Sequence, residues 1–333
     1  MSELDVEALT EHLRQRLPER PALQVSELWR SPGGMSRQTW FADVVWDGAD
    51  GPGAQRLTIR IDHENGSVVP TPLWWEYRVM KSLYGSNVPV AETLWYEEDL
   101  RWFGREFYVR DCVLGDASPK PLFAPGGEER RAKVGRRLAE LLAEIHLFDW
   151  EKGGLPEFMA VPREPRDAAL LELANYRRHW AANAPEPMPV LAELYAWLER
   201  NAPTHVPRVS LVWGDVGVGN FIYRGDEIVA LTDWEQSHLG DPMKDLAAAL
   251  WRGIESIISK EDLYSIYEAR SGIEICEESI EYYHVFIDAQ YATMSGSVLR
   301  GFAQEQAPDI TFARLGLGIP YRCLDLGLRG VSP

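Results

Sequence analysis

Trp213-Gly214-Asp215-Val216-Gly217-Val218-Gly219-Asn220, followed by Leu231-Thr232-Asp233-Trp234-Glu235, places an Asp, an Asn five positions later and a second Asp thirteen positions beyond that. Between the last two lies a predicted hairpin. Phe221-Ile222-Tyr223 and Ile228-Val229-Ala230-Leu231 are apolar runs around the polar turn Arg224-Gly225-Asp226, the pattern of two paired strands. Folding the runs together brings Asn220 and Asp233 to the open end, with Asp215 on the loop just before. Three oxygen-bearing side chains then converge on one point. Mg²⁺-dependent phosphoryl transfer uses such a set: an Asn and an Asp hold metal, and a separate Asp orients the attacking hydroxyl.

The order and spacing of these residues resemble the catalytic and metal-binding loops of the protein-kinase-like fold. The continuation Gly240-Asp241-Pro242-Met243-Lys244-Asp245-Leu246-Ala247 narrows the resemblance to the aminoglycoside phosphotransferase and choline kinase family. Gly-Asp-Val-Gly-x-Gly-Asn-Phe is similar to a branch found beside or fused to acyl-CoA dehydrogenases. The resemblance implies an α+β, two-lobe fold: a small β-rich nucleotide-binding lobe over residues 1–113, and a larger, mainly helical lobe over 114–333 that carries catalysis and acceptor binding. It further implies Asp215 as catalytic base and Asn220 and Asp233 as Mg²⁺ ligands, with ATP or GTP as co-substrate.

Upstream segments take their roles from the same resemblance. Gly33-Gly34-Met35-Ser36 looks like the family's glycine-rich turn between the first two strands, where Gly34 lets backbone approach phosphate and Ser36 can donate a hydrogen bond. Leu57-Thr58-Ile59-Arg60-Ile61 reads as a third strand, and Arg60 stands where the family holds phosphates. Leu73 to Leu83 has apolar positions at helical spacing; Glu76 matches the ion-pair partner of the strand cation. Arg105 to Gly115 looks like the strand entering the hinge, with the purine on backbone groups near Asp111 and Val113.

Two positions depart from the family pattern. Arg110 stands where relatives are often apolar, and either points away or narrows the back of the purine pocket. Trp213 stands where relatives commonly have a loop-supporting His; an indole can pack and donate one N–H. Both departures motivate an alternative, a nucleotide-binding pseudokinase without turnover.

Composition narrows the classes further. At 333 residues with 45% hydrophobic content, the chain can build two cored lobes rather than remain disordered. No run reaches the ~18 apolar residues of a membrane span, and the acidic start Met1-Ser2-Glu3-Leu4-Asp5 is unlike a signal peptide. Cys112, Cys276 and Cys323 are odd in number and far apart, as in a reducing compartment. These signs together predict a cytoplasmic protein. A net charge of −17 argues against nucleic acid as a partner. It leaves nucleotide phosphates to local features, Arg60 and the metal. His146 and His284 lack metal-ligand spacing and read as structural, and no Gly-x-Ser-x-Gly elbow supports a hydrolase.

The acceptor is a small molecule. The branch resemblance favours a hydroxylated acid or acyl-CoA thioester, whereas the acidic chain suits a cationic aminoglycoside or amino alcohol. Arg130, Arg131, Lys133, Arg136 and Arg137, at the start of a predicted helix, read first as a solvated face and second as a phosphate-binding patch for a large anionic acceptor.

Overall fold

The computed structural model describes residues 4–31, 36–48, 51–63, 68–183, 187–303 and 310–331. The first part of the chain forms helix α1 (Val6–Arg16), strands β1 (Gln24–Arg30), β2 (Arg37–Gly48) and β3 (Gly51–Asp62), helix α2 (Leu73–Leu83), and strands β4 (Thr93–Glu97) and β5 (Phe107–Asp111). The strands make one antiparallel sheet in the order β1-β2-β3-β5-β4. Asp5 starts α1 by accepting from the backbone N–H groups of Glu7 and Ala8, as an N-cap carboxylate does.

Period-two alternation gives this sheet two different faces. Leu57, Ile59 and Ile61 of β3 join Trp40, Ala42 and Val44 of β2 in a core closed by Leu9 and Leu13 of α1. The intervening Thr58 and Arg60, with Thr39 and Phe41 of β2, line a cleft instead. β3 is longer than the predicted 57–61. Gly51, Pro52 and Gly53 are weak strand formers, yet they pair with Gly48, Asp47 and Trp46 of β2, so cross-strand pairing overrides local preference. The predicted helix over 73–83 is α2. Its buried stripe is Leu73, Val79, Met80 and Leu83, with Glu76 among them.

The rest is mainly helical: α3 (Glu128–Leu147), α4 (Asp167–Asn183), α5 (Pro189–Arg200), α6 (Met243–Trp251), α7 (Lys260–Ser271), α8 (Glu277–Ala303) and α9 (Ile310–Val331). The short strands are β6 (Ser210–Val212), β7 (Phe221–Arg224), β8 (Glu227–Leu231) and β9 (His238–Gly240); β7 pairs with β8 and β6 with β9. The predicted hairpin is therefore β7–β8. Pro242 stands just before α6, at its N-cap. α3 is the central rod, with Val134, Leu138, Leu141, Leu142 and Ile145 buried in a core shared with α6, α7 and α8. No helix among the described residues is long and apolar enough to cross a membrane.

α3 and the segment before α7 meet at a residue with no side chain. A Cβ on Gly135 would lie 2.4 Å from the Ile257 carbonyl oxygen and 2.9 Å from Ile258 Cβ. Exposed helix interiors usually gain stability from Gly→Ala. Gly135→Ala instead loses about 1–3 kcal/mol by overpacking, read as a lower urea midpoint; an unchanged or raised midpoint contradicts this packing.

Candidate active site

One buried carboxylate suspends the loop after β6. Asp245, on the first turn of α6 and fully buried, accepts from the backbone N–H of Trp213 through Oδ2 at 2.7 Å and from that of Gly214 through Oδ1 at 2.7 Å. His146 of α3 places Nε2 3.0 Å from the same Oδ2, and its Nδ1 lies 2.8 Å from the Tyr267 hydroxyl. Three donors thus converge on one carboxylate, the satisfied arrangement that a buried charge requires. Trp213 ties the other side: its indole N–H donates to the Thr232 carbonyl at 2.9 Å, and its ring packs on Trp234 with centroids 5.7 Å apart. His146, expected to be structural, serves this loop through Asp245.

The loop delivers Asp215. Asn220 Nδ2 donates to Asp215 Oδ2 at 2.6 Å and to its backbone carbonyl at 2.7 Å. The Thr232 N–H donates to the Asn220 carbonyl at 2.9 Å, closing the hairpin mouth and bringing Asp233 beside Asn220. Asp233 adopts the left-handed conformation, φ 57° and ψ 59°, which Asp tolerates better than most residues. Its Oδ1 lies 3.2 Å from Arg60 Nη2, with the side chain 36% exposed. Burial raises the Asp233 pKa, Arg60 opposes the rise, and the Glu76 and Asp215 carboxylates add to it.

Arg60 sits at the centre of a buried ionic network. Its Nη1 donates to Thr39 Oγ1 at 2.7 Å, and its Nη2 lies 3.3 Å from Glu76 Oε2. Burial pushes the Glu76 pKa up, but Arg60 and then Arg37 overcome this and hold it below the ordinary carboxylate range. Arg37, which the sequence reading did not single out, is fully buried. It reaches Asp62 at 3.0 Å, Glu76 at 3.4 Å, Glu235 at 3.3 Å and the Thr71 carbonyl at 2.9 Å. In the β2–β3 register that pairs Gly48 with Gly51, Arg37 stands directly opposite Asp62.

These groups face a cleft of about 650 Å³ between the sheet and the helical part. Ser36, Arg60, Glu76, Val113, Asp215, Asn220 and Asp233, all singled out from the sequence, line it. Gly34 lies outside the described residues. Asp111 is not on the lining: its carboxylate accepts from the Gln55 amide, and its N–H donates to the Glu92 carbonyl at 2.9 Å. Cys112, Val113, Leu114 and Gly115 form the hinge wall instead. Arg110 faces the cleft rather than away, and its Nη1 donates to the Asp111 carbonyl at 3.4 Å. Two further residues touch Asp215 that no motif announced: Arg252 Nη1 at 2.7 Å and the Tyr291 hydroxyl at 2.8 Å, both on Oδ1.

The basic cluster on α3 is largely engaged elsewhere. Lys133 pairs with Glu129 and Asp226, Arg137 with Glu140 and Glu144, and Arg131 lies over the Phe123 ring. No group of three or more His, Cys, Asp or Glu is arranged for a metal among the described residues. Asn220 and Asp233 nevertheless offer an amide oxygen and a carboxylate. That set suits Mg²⁺, which takes one or two carboxylates and completes its shell with water and substrate phosphates. A cation there would also favour the ionised form of Asp233, which burial and the Glu76 and Asp215 carboxylates disfavour.

Comparison with known proteins adds relatives to this geometry. A family model described as phosphotransferase enzyme family matches residues 32–274. Acyl-CoA dehydrogenase family member 11 of Rattus norvegicus is 29% identical over 294 residues, covering 84% of this chain and 35% of that protein. The chain spans about a third of the length of the curated relatives it matches. A thermostable mutant of aminoglycoside phosphotransferase APH(4)-Ia, solved with ADP and hygromycin B, superposes with a TM-score of 0.64. It is 16% identical, covering 98% of this chain and 99% of that one. A choline/ethanolamine kinase family protein from Mesorhizobium loti has a TM-score of 0.59 at 17% identity, covering 97% and 99%. These neighbours share the two-lobe, protein-kinase-like fold.

The suspension of the loop can be tested without substrate. Asp245→Ala strands three buried donors, each costing about 1–3 kcal/mol when unmet. The variant loses stability on the order of 3 kcal/mol or more in chemical denaturation, and a loss near that of an ordinary surface substitution contradicts the assigned role.

Proposed function

The chain belongs to the phosphotransferase enzyme family, and from that premise we propose that it transfers the terminal phosphoryl group of ATP or GTP to a hydroxyl of a small molecule. One observation carries this reading. Asp215, Asn220 and Asp233 meet on one side of the cleft, opposite Arg60 held by Glu76. In this reading, residues up to about 113 hold the nucleotide and the remainder supplies the base and the acceptor site.

The division of labour follows from the contacts. Arg60, held by Thr39, Glu76 and Asp233, lines the cleft and supplies the cation for the phosphates there. Asn220 and Asp233 are the residues that would hold Mg²⁺, which when bound neutralises charge on the β- and γ-phosphates. Asp215 receives the acceptor's hydroxyl proton as the acceptor oxygen bonds to the γ-phosphorus. The bond to the leaving nucleoside diphosphate breaks, and its electrons stay with that diphosphate. Val113 and the neighbouring hinge backbone frame the purine, with Arg110 behind it. Trp213 keeps the loop fastened through the Thr232 carbonyl, which favours turnover over a degenerate, binding-only module.

The acceptor side favours a hydroxylated acid or acyl-CoA over a cationic acceptor. The carboxylates lining the cleft, Glu76, Asp215, Asp233 and Glu235, each lie within ion-pair distance of an Arg among the described residues. An aminoglycoside or amino alcohol needs acids without such partners. ADP release from MgATP, screened against hydroxy acids, acyl-CoA thioesters and amino alcohols, tests both levels of the proposal.

Two substitutions test the roles. Asp215→Asn keeps nucleotide binding and lowers turnover by about 10²–10⁴, the usual share of a positioned base; an unchanged rate removes Asp215 from the chemistry. Asp233→Ala weakens Mg²⁺-dependent ATP binding far more than Glu227→Ala, which alters an exposed residue at the start of β8. Equal affinities in a calorimetric titration would sink the metal assignment.

A further inference from the structure

We propose that Arg252, seated in the space left by Gly217 and braced by Tyr291, is a positioning residue that aims the Asp215 carboxylate. The proposal rests on the phosphotransfer reading above. It adds an arm from α6 and α8 that the loop motif does not contain.

Arg252 caps the C-terminal end of α6, where its backbone N–H donates to the Ala248 carbonyl at 2.9 Å. Its side chain returns to the loop and lays Nη1 2.7 Å from Asp215 Oδ1. The same Nη1 meets the Tyr291 hydroxyl at 2.5 Å, and that hydroxyl donates to Oδ1 at 2.8 Å. Tyr291 is itself fixed. Trp251 stacks on it with centroids 4.6 Å apart and planes 16° apart, and the Trp251 indole N–H donates to Asp288 Oδ1 at 2.9 Å. Asp288 and Tyr291 lie three residues apart on α8, on one helix face.

Gly217 explains how the guanidinium gets there. A Cβ built on Gly217 would lie 2.3 Å from Arg252 Nε and 2.9 Å from Cζ. The backbone does not call for glycine, since Gly217 is not among the residues with positive φ. What its missing side chain provides is room. The clash falls on the mobile end of a long side chain, so Gly217→Ala can evict the guanidinium without unfolding the loop.

The consequence lies in the lone pairs of Asp215. A carboxylate has about four acceptor positions. Arg252 and Tyr291 occupy two on Oδ1, and Asn220 occupies one on Oδ2. Among the described residues, one position remains, on Oδ2, and it is where the acceptor's proton goes. Phosphoryl transfer asks the protein mainly for placement, so a clamp that leaves one aimed lone pair serves it even while a cation sits beside the base.

The test is a double-mutant cycle on the full chain: wild type, Gly217→Ala, Arg252→Ala and the double variant. Arg252→Lys and Tyr291→Phe are added. The probes are MgATP with water as acceptor, read as ADP release, and MgADP affinity by titration. Misplacement of a reacting group costs about 10²-fold, and each single variant is expected to lose that much while MgADP affinity holds. The double variant should be no slower than Arg252→Ala, because both changes remove the same contact. Arg252→Lys and added guanidinium ion should restore part of the Arg252→Ala rate. Additive losses, an undiminished Arg252→Ala rate, or MgADP affinity falling in step with rate would overturn the clamp. A wild type that binds MgADP but releases no ADP counts instead against phosphotransfer. The seating of Arg252 is then decided by urea midpoints. Gly217→Ala should lower the midpoint when Arg252 is present and not when it is Ala. Equal shifts in both backgrounds overturn the proposal.

Discussion

Two buried guanidinium groups, Arg37 and Arg60, hold the buried Glu76 and Glu235 and the partly exposed Asp233 at the seam, and the placement of the two lobes rests on that network. Arg60 spans from β3 to Asp233 beyond β8, and Arg37 from β2 to Glu235. Neutral bonds follow the same seam: Thr71 Oγ1 donates to the Glu235 carbonyl, the Trp75 indole to the Ser237 carbonyl, and the Leu231 N–H to the Pro89 carbonyl. Four carboxylates, counting Asp62 on Arg37, against these two cations leave a local surplus of negative charge. Burial then raises Asp233, and it raises Glu235 to about 7. Buried ionic networks are seldom a source of net stability. What this one provides is a fixed distance between the strand cation and the loop carboxylates, in a chain whose overall charge repels a nucleotide.

A second buried charge does for the loop what the first does for the lobes. Asp245 supports the loop through the backbone N–H groups of Trp213 and Gly214, so this part of the support does not depend on the side chain at 213. Trp213 is therefore free to carry an indole that fills the core and reaches Thr232. A residue that looks like a departure in one dimension is accommodated because the hydrogen bonds that matter are made by main chain.

Several elements were legible because their information is local. The β7–β8 hairpin follows from two apolar runs around a polar glycine turn. α2 follows from apolar spacing, with Leu73 and Leu83 as its ends. Other features depended on partners distant in the chain. β3 begins at Gly51 because β2 lies beside it. Asp111 turns to Gln55 and leaves the hinge wall to its successors. Arg37 in isolation reads as a polar strand residue, and becomes a fully buried hub only when α2 and the segment after β8 close over it.

By itself, the sequence determined the spacing of Asp215, Asn220 and Asp233, since it is written in contiguous residues whose backbone geometry is short-ranged, and the motifs around them carried the resemblance that implies the family and its two lobes. Only the tertiary structure decided what surrounds Asp215. Arg252 and Tyr291 lie 37 and 76 positions downstream, at the end of α6 and on α8, helices whose amphipathic pattern records which face is buried and not what that face touches. Gly217 shows the difference most plainly. In the sequence it is one of several loop glycines, and in the fold it is the gap through which a guanidinium reaches a carboxylate, because an absent Cβ acquires meaning only from the atom that occupies its place.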